Sequence, residues 1–162
     1  MSKLREERLA LQLDHFLPYR LSVASNVVSN LIARTYRQRF NLKITEWRLI
    51  AILAESNRMT PQALTKATRM DKINVSRAAK SLIVRQLITS APNGQDGRSH
   101  FLSLTDEGLA LYSEIAPQAL AMEEKLLRAF SATERSALEE LLKRLESAAE
   151  NEAGGSTFHR PP

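Results

Sequence analysis

Apolar residues recur at alternating spacings of three and four along most of this chain, which is the pattern of amphipathic helices. A first helix is predicted from about Pro18 to Arg39, with Asn41 ending it. Its apolar stripe consists of Leu17, Leu21, Ala24, Val28 and Leu31. Thr45 is predicted to cap a second helix, which Asn57 stops. The core face of that helix consists of Trp47, Ile50, Ala51, Leu53 and Ala54.

Shorter elements are predicted between Met59 and Gly108. After a one-residue strand at Met59, Thr60 followed by Pro61 caps a short helix that ends before Arg69. Asp71 caps the next helix, whose inward face consists of Val75, Ala78, Ala79 and Leu82. Two strands, Leu87–Ala91 and Phe101–Leu104, flank a loop rich in turn-forming residues. Two short helices followed by a hairpin are the parts of a winged helix-turn-helix, in the order that this motif requires.

Two further helices follow the hairpin. Thr105 is predicted to cap a long helix that Pro117 should kink, and Ser131 with Glu134 forms a capping box for the last helix. The apolar stripe of that last helix consists of Leu138, Leu141, Leu142, Leu145 and Ala148. The predicted fold is therefore mainly α with a small β-hairpin wing, in the α+β class. Its predicted parts are an N-terminal dimerisation region (1–40), the winged helix-turn-helix unit (41–108), C-terminal dimerisation helices (109–150) and a disordered tail (151–162).

The flanking helices carry three apolar stripes outside the small winged core. Packing them against a second copy of the chain would bury more surface than packing them on one another, and it would fix the distance between two DNA-reading helices. Half-sites of dimeric helix-turn-helix proteins lie one helical turn of DNA apart, about 34–36 Å. A two-fold homodimer is therefore predicted, and the alternative is a monomer whose stripes meet one another.

The charge distribution points to a polyanionic partner. Residues 58–104 hold eight Lys or Arg against two acids, a net charge of +6, whereas residues 105–162 hold six against eleven, a net charge of −5. The formal charge of +5 for the whole chain therefore combines a basic centre with an acidic C-terminal third. Double-stranded DNA is the partner that such a centre would bind.

Other functional classes lack support in the sequence. With no cysteine and three scattered histidines, neither a disulfide nor a metal site is expected, and no catalytic motif or phosphate-binding loop is present. We therefore expect no enzyme and no cofactor. No apolar run is long enough to cross a membrane, and residues 1–13 interleave charges with leucines, unlike an export signal. A cytoplasmic protein is expected.

Two local motifs resemble the multiple antibiotic resistance regulator (MarR) family of bacterial transcription factors, and the order of elements matches over roughly residues 17–149. Asp96-Gly97-Arg98 followed by the run Leu102 to Gly108 (LSLTDEG) is similar to the family's wing and the helix start after it. The run Asp71 to Arg77 (DKINVSR) is similar to the opening of its recognition helix. Three places depart from the family pattern: Thr68-Arg69 in the inter-helix turn, Ile73 in the recognition helix, and Thr89-Ser90 on the strand entering the wing.

The resemblance implies roles for individual residues in DNA binding. Arg98 would enter a minor groove while Asp96 holds the wing loop, since arginine is attracted to the negative potential of a narrow groove. The residues on the major-groove face would be Asn74, Ser76 and Arg77. Lys72 and Lys80 would clamp phosphates, and Thr60 and Gln62 would contact phosphates at a helix start. The alternatives are that Arg98 and Ser76 are plain surface groups and that Arg77 is a salt-bridge partner.

Family members often release DNA when a small aromatic carboxylate or its thioester binds between the dimerisation helices and the winged unit. The residues suited to such a ligand here are His15, Tyr19, Arg20 and Trp47, because an arginine pairs with a carboxylate and aromatic rings pack on a ring. The sequence thus predicts a homodimeric, sequence-specific transcriptional regulator, a repressor released by a small anionic effector. The alternative is a winged-helix protein-interaction module that does not read DNA.

Overall fold

A computed structural model of the chain describes residues 11–94 and 99–155. Its helices, after one 3-10 turn at Leu13–His15, are α1 (Leu17–Phe40), α2 (Ile44–Ser56), α3 (Pro61–Thr68), α4 (Lys72–Val84), α5 (Asp106–Leu127) and α6 (Ala132–Gly155). Its strands are β1 (Arg58–Met59), β2 (Ile88–Pro92) and β3 (His100–Leu104). None of the helices in these ranges is long and apolar enough to cross a membrane.

The predicted fold class is confirmed, and most of the predicted helix caps are too. Thr60, Asp71, Thr105 and Ser131 each accept a hydrogen bond from the backbone N–H three residues later. The prediction that Thr45 caps α2 is wrong, because Thr45 already lies inside the helix, which begins at Ile44 with Lys43 as its N-cap. The last helix also runs on to Gly155, past the predicted end near residue 150, and α5 continues through Pro117.

The three strands form one antiparallel sheet in the order β1-β3-β2. Met59 pairs with Leu102, which adds the short β1 to the far side of the hairpin. The hairpin ladder itself runs from Ile88 opposite Leu104 to Pro92 opposite His100. Beyond that pair, the Asn93 N–H donates to the Ser99 carbonyl at 3.1 Å, so the wing stays paired up to the start of its tip. The tip, residues 95–98, lies outside the described residues.

The chain divides into two compact units, 1–122 and 123–162. The first unit contains the hydrophobic core, in which α2 and α4 pack together and α1, α3, the sheet and α5 complete the enclosure. The core includes the four residues predicted for the inward face of α4, which is therefore confirmed. In the second unit, α6 has no buried residue within its described range, and its leucine stripe is exposed.

A buried carboxylate joins three helices of the first unit. Glu46 is 2% exposed; its carboxylate accepts a hydrogen bond from the Lys43 backbone N–H at 2.8 Å and from the Ser81 hydroxyl at 2.6 Å. The Arg85 guanidinium lies 3.7 Å from the same carboxylate and donates to the last carbonyls of α1, those of Phe40 (2.7 Å) and Asn41 (3.1 Å). We call Glu46, Ser81 and Arg85 the Glu46 node. It connects the start of α2, the last turn of α4 and the end of α1.

Close backbone packing connects the end of α4 to the start of α5. The Leu87 N–H donates to the Leu82 carbonyl and the Gln86 N–H to the Ile83 carbonyl, both at 2.9 Å, which is a Schellman motif with Gln86 in the left-handed region (φ 58°). The Leu87 carbonyl then accepts the Thr105 N–H at 3.2 Å. A Cβ atom at Gly108 would lie 2.0 Å from that carbonyl oxygen, so this position needs a glycine.

We predict that Gly108→Ala lowers the free energy of unfolding by about 1–3 kcal/mol or more, because the added methyl group meets backbone that cannot move aside. Gly154→Ala is the matched control, since a Cβ at that helical glycine meets nothing within 4 Å. It should leave stability unchanged or raise it by up to ~1 kcal/mol. Chemical denaturation at one fixed protein concentration measures both, and equal stability of the two variants would contradict the packing described.

We also predict that Glu46→Ala lowers the free energy of unfolding by about 3 kcal/mol, because it leaves two part-buried donors and a cation without their buried acceptor. Glu55→Ala removes an exposed carboxylate from the same helix and should change stability by no more than ~0.5 kcal/mol. The same denaturation measurement compares them. If the two substitutions cost the same, the Glu46 node does not hold the helices together.

Candidate nucleic-acid interface

The turn between α3 and α4 forms without a glycine. Arg69 ends α3 in the left-handed region (φ 56°), a conformation that costs most residues about 1–2 kcal/mol. Thr68 offsets part of that cost, because its buried hydroxyl donates to the Leu64 carbonyl at 2.6 Å and accepts the Met70 N–H at 3.3 Å. The departure from the family pattern at these two positions is therefore accommodated by a side-chain hydrogen bond.

Helix α4 presents one apolar face to the core and one polar face to solvent. Since successive helical residues are rotated by about 100°, Arg77 and Lys80 lie opposite the buried face, together with Ile73. We call these three residues the outer ridge of α4. Exposed side chains flank the ridge on both sides, namely Lys72, Asn74 and Ser76. All five α4 residues predicted to contact DNA are thus on one accessible surface.

The first turn of α4 is fixed by its cap. Asp71 accepts the Asn74 N–H at 2.8 Å, and its second oxygen accepts the Asn74 side-chain amide at 2.6 Å. These hydrogen bonds, led by the backbone one, hold the pKa of the Asp71 carboxyl below its ordinary value. Asn74 therefore lies back along the helix start toward the cap, with one of its amide N–H groups already donated.

The start of α3 offers a smaller polar surface. Thr60 is half-buried, and its hydroxyl oxygen accepts the Ala63 N–H at 3.2 Å. Pro61 has no N–H, and Gln62 beside it is exposed. Of the two residues predicted here, Gln62 is the more accessible to a phosphate, and Thr60 shapes the turn.

At the wing, the structure adds one cation that sequence reasoning did not single out. Pairing of β1 with β3 brings the Arg58 guanidinium over the Phe101 ring, 4.8 Å from its centroid, on the exposed side of the sheet. The sequence signal that could have identified this cation is its position, since Arg58 directly precedes the predicted one-residue strand at Met59. Asp96 and Arg98, the predicted wing-tip residues, lie outside the described residues. Another cation of the basic centre, Arg85, belongs to the Glu46 node and serves the fold.

The four residues predicted for a small ligand do not meet within one chain. Trp47 is half-buried and stacks between Tyr36 (centroids 5.4 Å apart) and Tyr112 (5.8 Å). Burial raises the pKa of Tyr36, although the nearby charges of Arg37 and Arg48 oppose the shift. His15 lies in the 3-10 turn, and Tyr19 and Arg20 are exposed in the first turn of α1. Tyr19 precedes Tyr36 by 17 residues, about 25 Å along the helix.

Comparison with known proteins agrees with this architecture. The model of the MarR family matches residues 40–99, which run from the end of α1 to the wing. The transcriptional repressor NicR of Pseudomonas putida is 31% identical over 88 residues, 54% of this chain. That match spans 56% of NicR, so the chain covers about half the length of this relative.

Similar solved structures cover more of the chain. A MarR/EmrR family transcriptional regulator from Acinetobacter sp. ADP1 has a TM-score of 0.80 and 27% identity, over 87% of this chain and 99% of that one. BpsR of Bordetella bronchiseptica, whose DNA binding is regulated by 6-hydroxynicotinic acid, has a TM-score of 0.77. The match covers 85% of this chain and 97% of the BpsR chain. At 20% identity, the likeness to BpsR concerns the fold alone. The matched family model, the relative and the shared fold together show that this chain is similar to the MarR family, most directly over residues 40–99.

Proposed function

We propose that this chain is a transcriptional regulator that binds duplex DNA through α4 and the wing. The observation that carries the proposal is the surface of α4. An exposed face with three cations, Lys72, Arg77 and Lys80, lies opposite a face that is buried in the core. A helix of this kind places side chains in a major groove without unfolding any part of its own domain.

The roles of the side chains follow from their positions. Arg77 lies on the outer ridge near the helix start, where a guanidinium pairs with guanine or with phosphate. Lys80 and Lys72 clamp phosphates on either side, and Ser76 and the remaining polar atoms of Asn74 reach base edges. Gln62 and the Thr60 turn add a phosphate contact from α3. At the wing, Arg98 enters the minor groove and Asp96 holds the tip, as the sequence motif implies.

The working unit that we propose is a homodimer. Outside the winged unit, residues 11–28 expose seven large apolar side chains: Leu11, Leu13, Phe16, Leu17, Tyr19, Val27 and Val28. On α6, Leu138, Leu141, Leu142 and Leu145 are each 38–56% exposed along one stripe. Stripes of this size are normally covered, and a second copy of the chain covers them while setting two α4 helices at a fixed distance.

The proposed regulation is repression relieved by a small anionic, aromatic ligand. NicR is a repressor, and 6-hydroxynicotinic acid regulates the DNA binding of BpsR. In this chain the proposed ligand contacts are His15, Tyr19, Arg20 and Trp47. Because Trp47 stacks near the far end of α1, a site that includes all four requires the N-terminal segment of the second copy. Ligand binding would then shift the separation of the two α4 helices away from the DNA spacing.

We predict that the affinity of the full chain for a mixed-sequence duplex falls steeply with salt, because bound Lys and Arg release counterions from the DNA. Six phosphate contacts would lower the affinity about 1,000-fold between 50 and 200 mM salt. Fluorescence anisotropy titrations at several salt concentrations measure the slope. A slope near zero would favour a protein-interaction module over a DNA-binding regulator.

Arg77→Ala should weaken binding by about 1–3 kcal/mol and relax sequence preference. Arg98→Ala should weaken binding at the wing without a change in thermal stability. Arg128→Ala is the matched control, because it removes an equally exposed arginine from the region where α5 ends. Anisotropy titrations combined with thermal melts separate loss of contact from loss of fold. Wild-type affinity in Arg77→Ala would place the DNA contact elsewhere than on α4.

A further inference from the structure

An apolar side chain occupies the outermost position at the start of the polar face of α4. Ile73 is 64% exposed, and it begins the outer ridge that continues with Arg77 and Lys80. Neighbouring residues on both sides are polar and exposed. The side chain lies opposite the buried face of the helix and is not among the buried or partly buried residues of the core.

Burial in the described core does not explain an isoleucine here. A β-branched residue is a weaker helix former than Ala or Lys, and its exposure gives no burial energy in the free protein. Single exposed apolar residues are common, but this one lies at the part of a recognition helix whose side chains meet base edges. We therefore look for the role of the exposed Ile73 side chain in contact with the DNA that α4 is proposed to bind.

In a major groove, the chemical group that an apolar side chain recognises is the C5-methyl of thymine, since it is the methyl group that the four standard bases present there. Accordingly, we propose that Ile73 is a specificity-determining residue that packs on a thymine methyl group in each half-site. This inference rests on the proposed function, and it names thymine as the base that Ile73 selects.

The geometry of the first turn prepares Ile73 for that contact. The two hydrogen bonds between Asp71 and Asn74, and the Val75 N–H to Asp71 carbonyl bond at 3.1 Å, fix the backbone on both sides of it. An isoleucine in a helix has one dominant χ1 rotamer, so little side-chain freedom is lost on binding. Asn74, which lies back toward the cap, leaves the outermost position of this turn to Ile73.

The test replaces single methyl groups of the DNA. Duplexes selected from a randomised library by the full chain are synthesised with thymine and with deoxyuridine, which keeps the same pairing and O4 acceptor but lacks the methyl group. We expect one thymine position in each half-site to be sensitive to this replacement. There, the wild type should bind the deoxyuridine duplex more weakly than the thymine duplex, by about fourfold for each methyl group removed. Ile73→Ala should bind the two duplexes equally.

Val84→Ala is the control variant, because Val84 is an exposed apolar residue (83%) on the same helix, about 16 Å further along its axis. It should keep the wild-type ratio of thymine to uracil affinity. Equal wild-type affinity for the two duplexes, or an undiminished ratio in Ile73→Ala, would overturn the role of Ile73 while leaving DNA binding intact. If no duplex is enriched and binding shows no salt dependence, the proposed function fails and the inference with it.

Discussion

The carboxylate of Glu46 fixes the position of α4, the helix proposed to contact DNA, relative to the rest of the first unit. One of its oxygens accepts the Lys43 N–H at the start of α2, and the other accepts the Ser81 hydroxyl in α4. Arg85 balances the buried charge and reaches the last carbonyls of α1. A buried carboxylate is costly unless every lone pair is used, so this arrangement tolerates few alternatives. The orientation of α4 follows from that requirement together with its apolar inner face.

The opposite end of α4 is fixed by a different device. The Asp71 cap orders the first turn at the surface, and the Glu46 node orders the last turns inside the domain. Between them, the buried face of four apolar residues prevents rotation about the axis. A recognition helix held at both ends and along one side can present stiff side chains, and the energy of contact with DNA is then not spent on ordering the protein.

Local patterns in the sequence predicted the structural features that depend on residues close together in the chain. The inner face of α4, four of the helix caps and the strands of the wing depend on spacings of a few positions, and the structure confirms them. The cap of α2 was missed because Glu46 reaches back to Lys43 and removes the need for Thr45. The Ser81 to Glu46 bond spans 35 positions, and no periodicity reveals such a pair. Asn74 was predicted to lie on the major-groove face, and its side-chain amide also donates to Asp71 three residues earlier. The bonds from Arg85 to the Asn41 and Phe40 carbonyls span 44 and 45 positions, and no local pattern predicts them.

The aromatic stack around Trp47 adjoins the carboxylate that positions α4. Glu46 and Trp47 are adjacent on α2 and face different neighbours: Glu46 contacts α4, and Trp47 stacks between Tyr36 of α1 and Tyr112 of α5. A change in the packing of the Trp47 ring therefore acts one residue away from the carboxylate that positions α4. Packed interiors respond to such changes by moving whole helices, because they compress little. If an effector inserts beside Trp47, as proposed, it need not approach α4 itself, because a displacement of the first turn of α2 would alter where the outer ridge of α4 points.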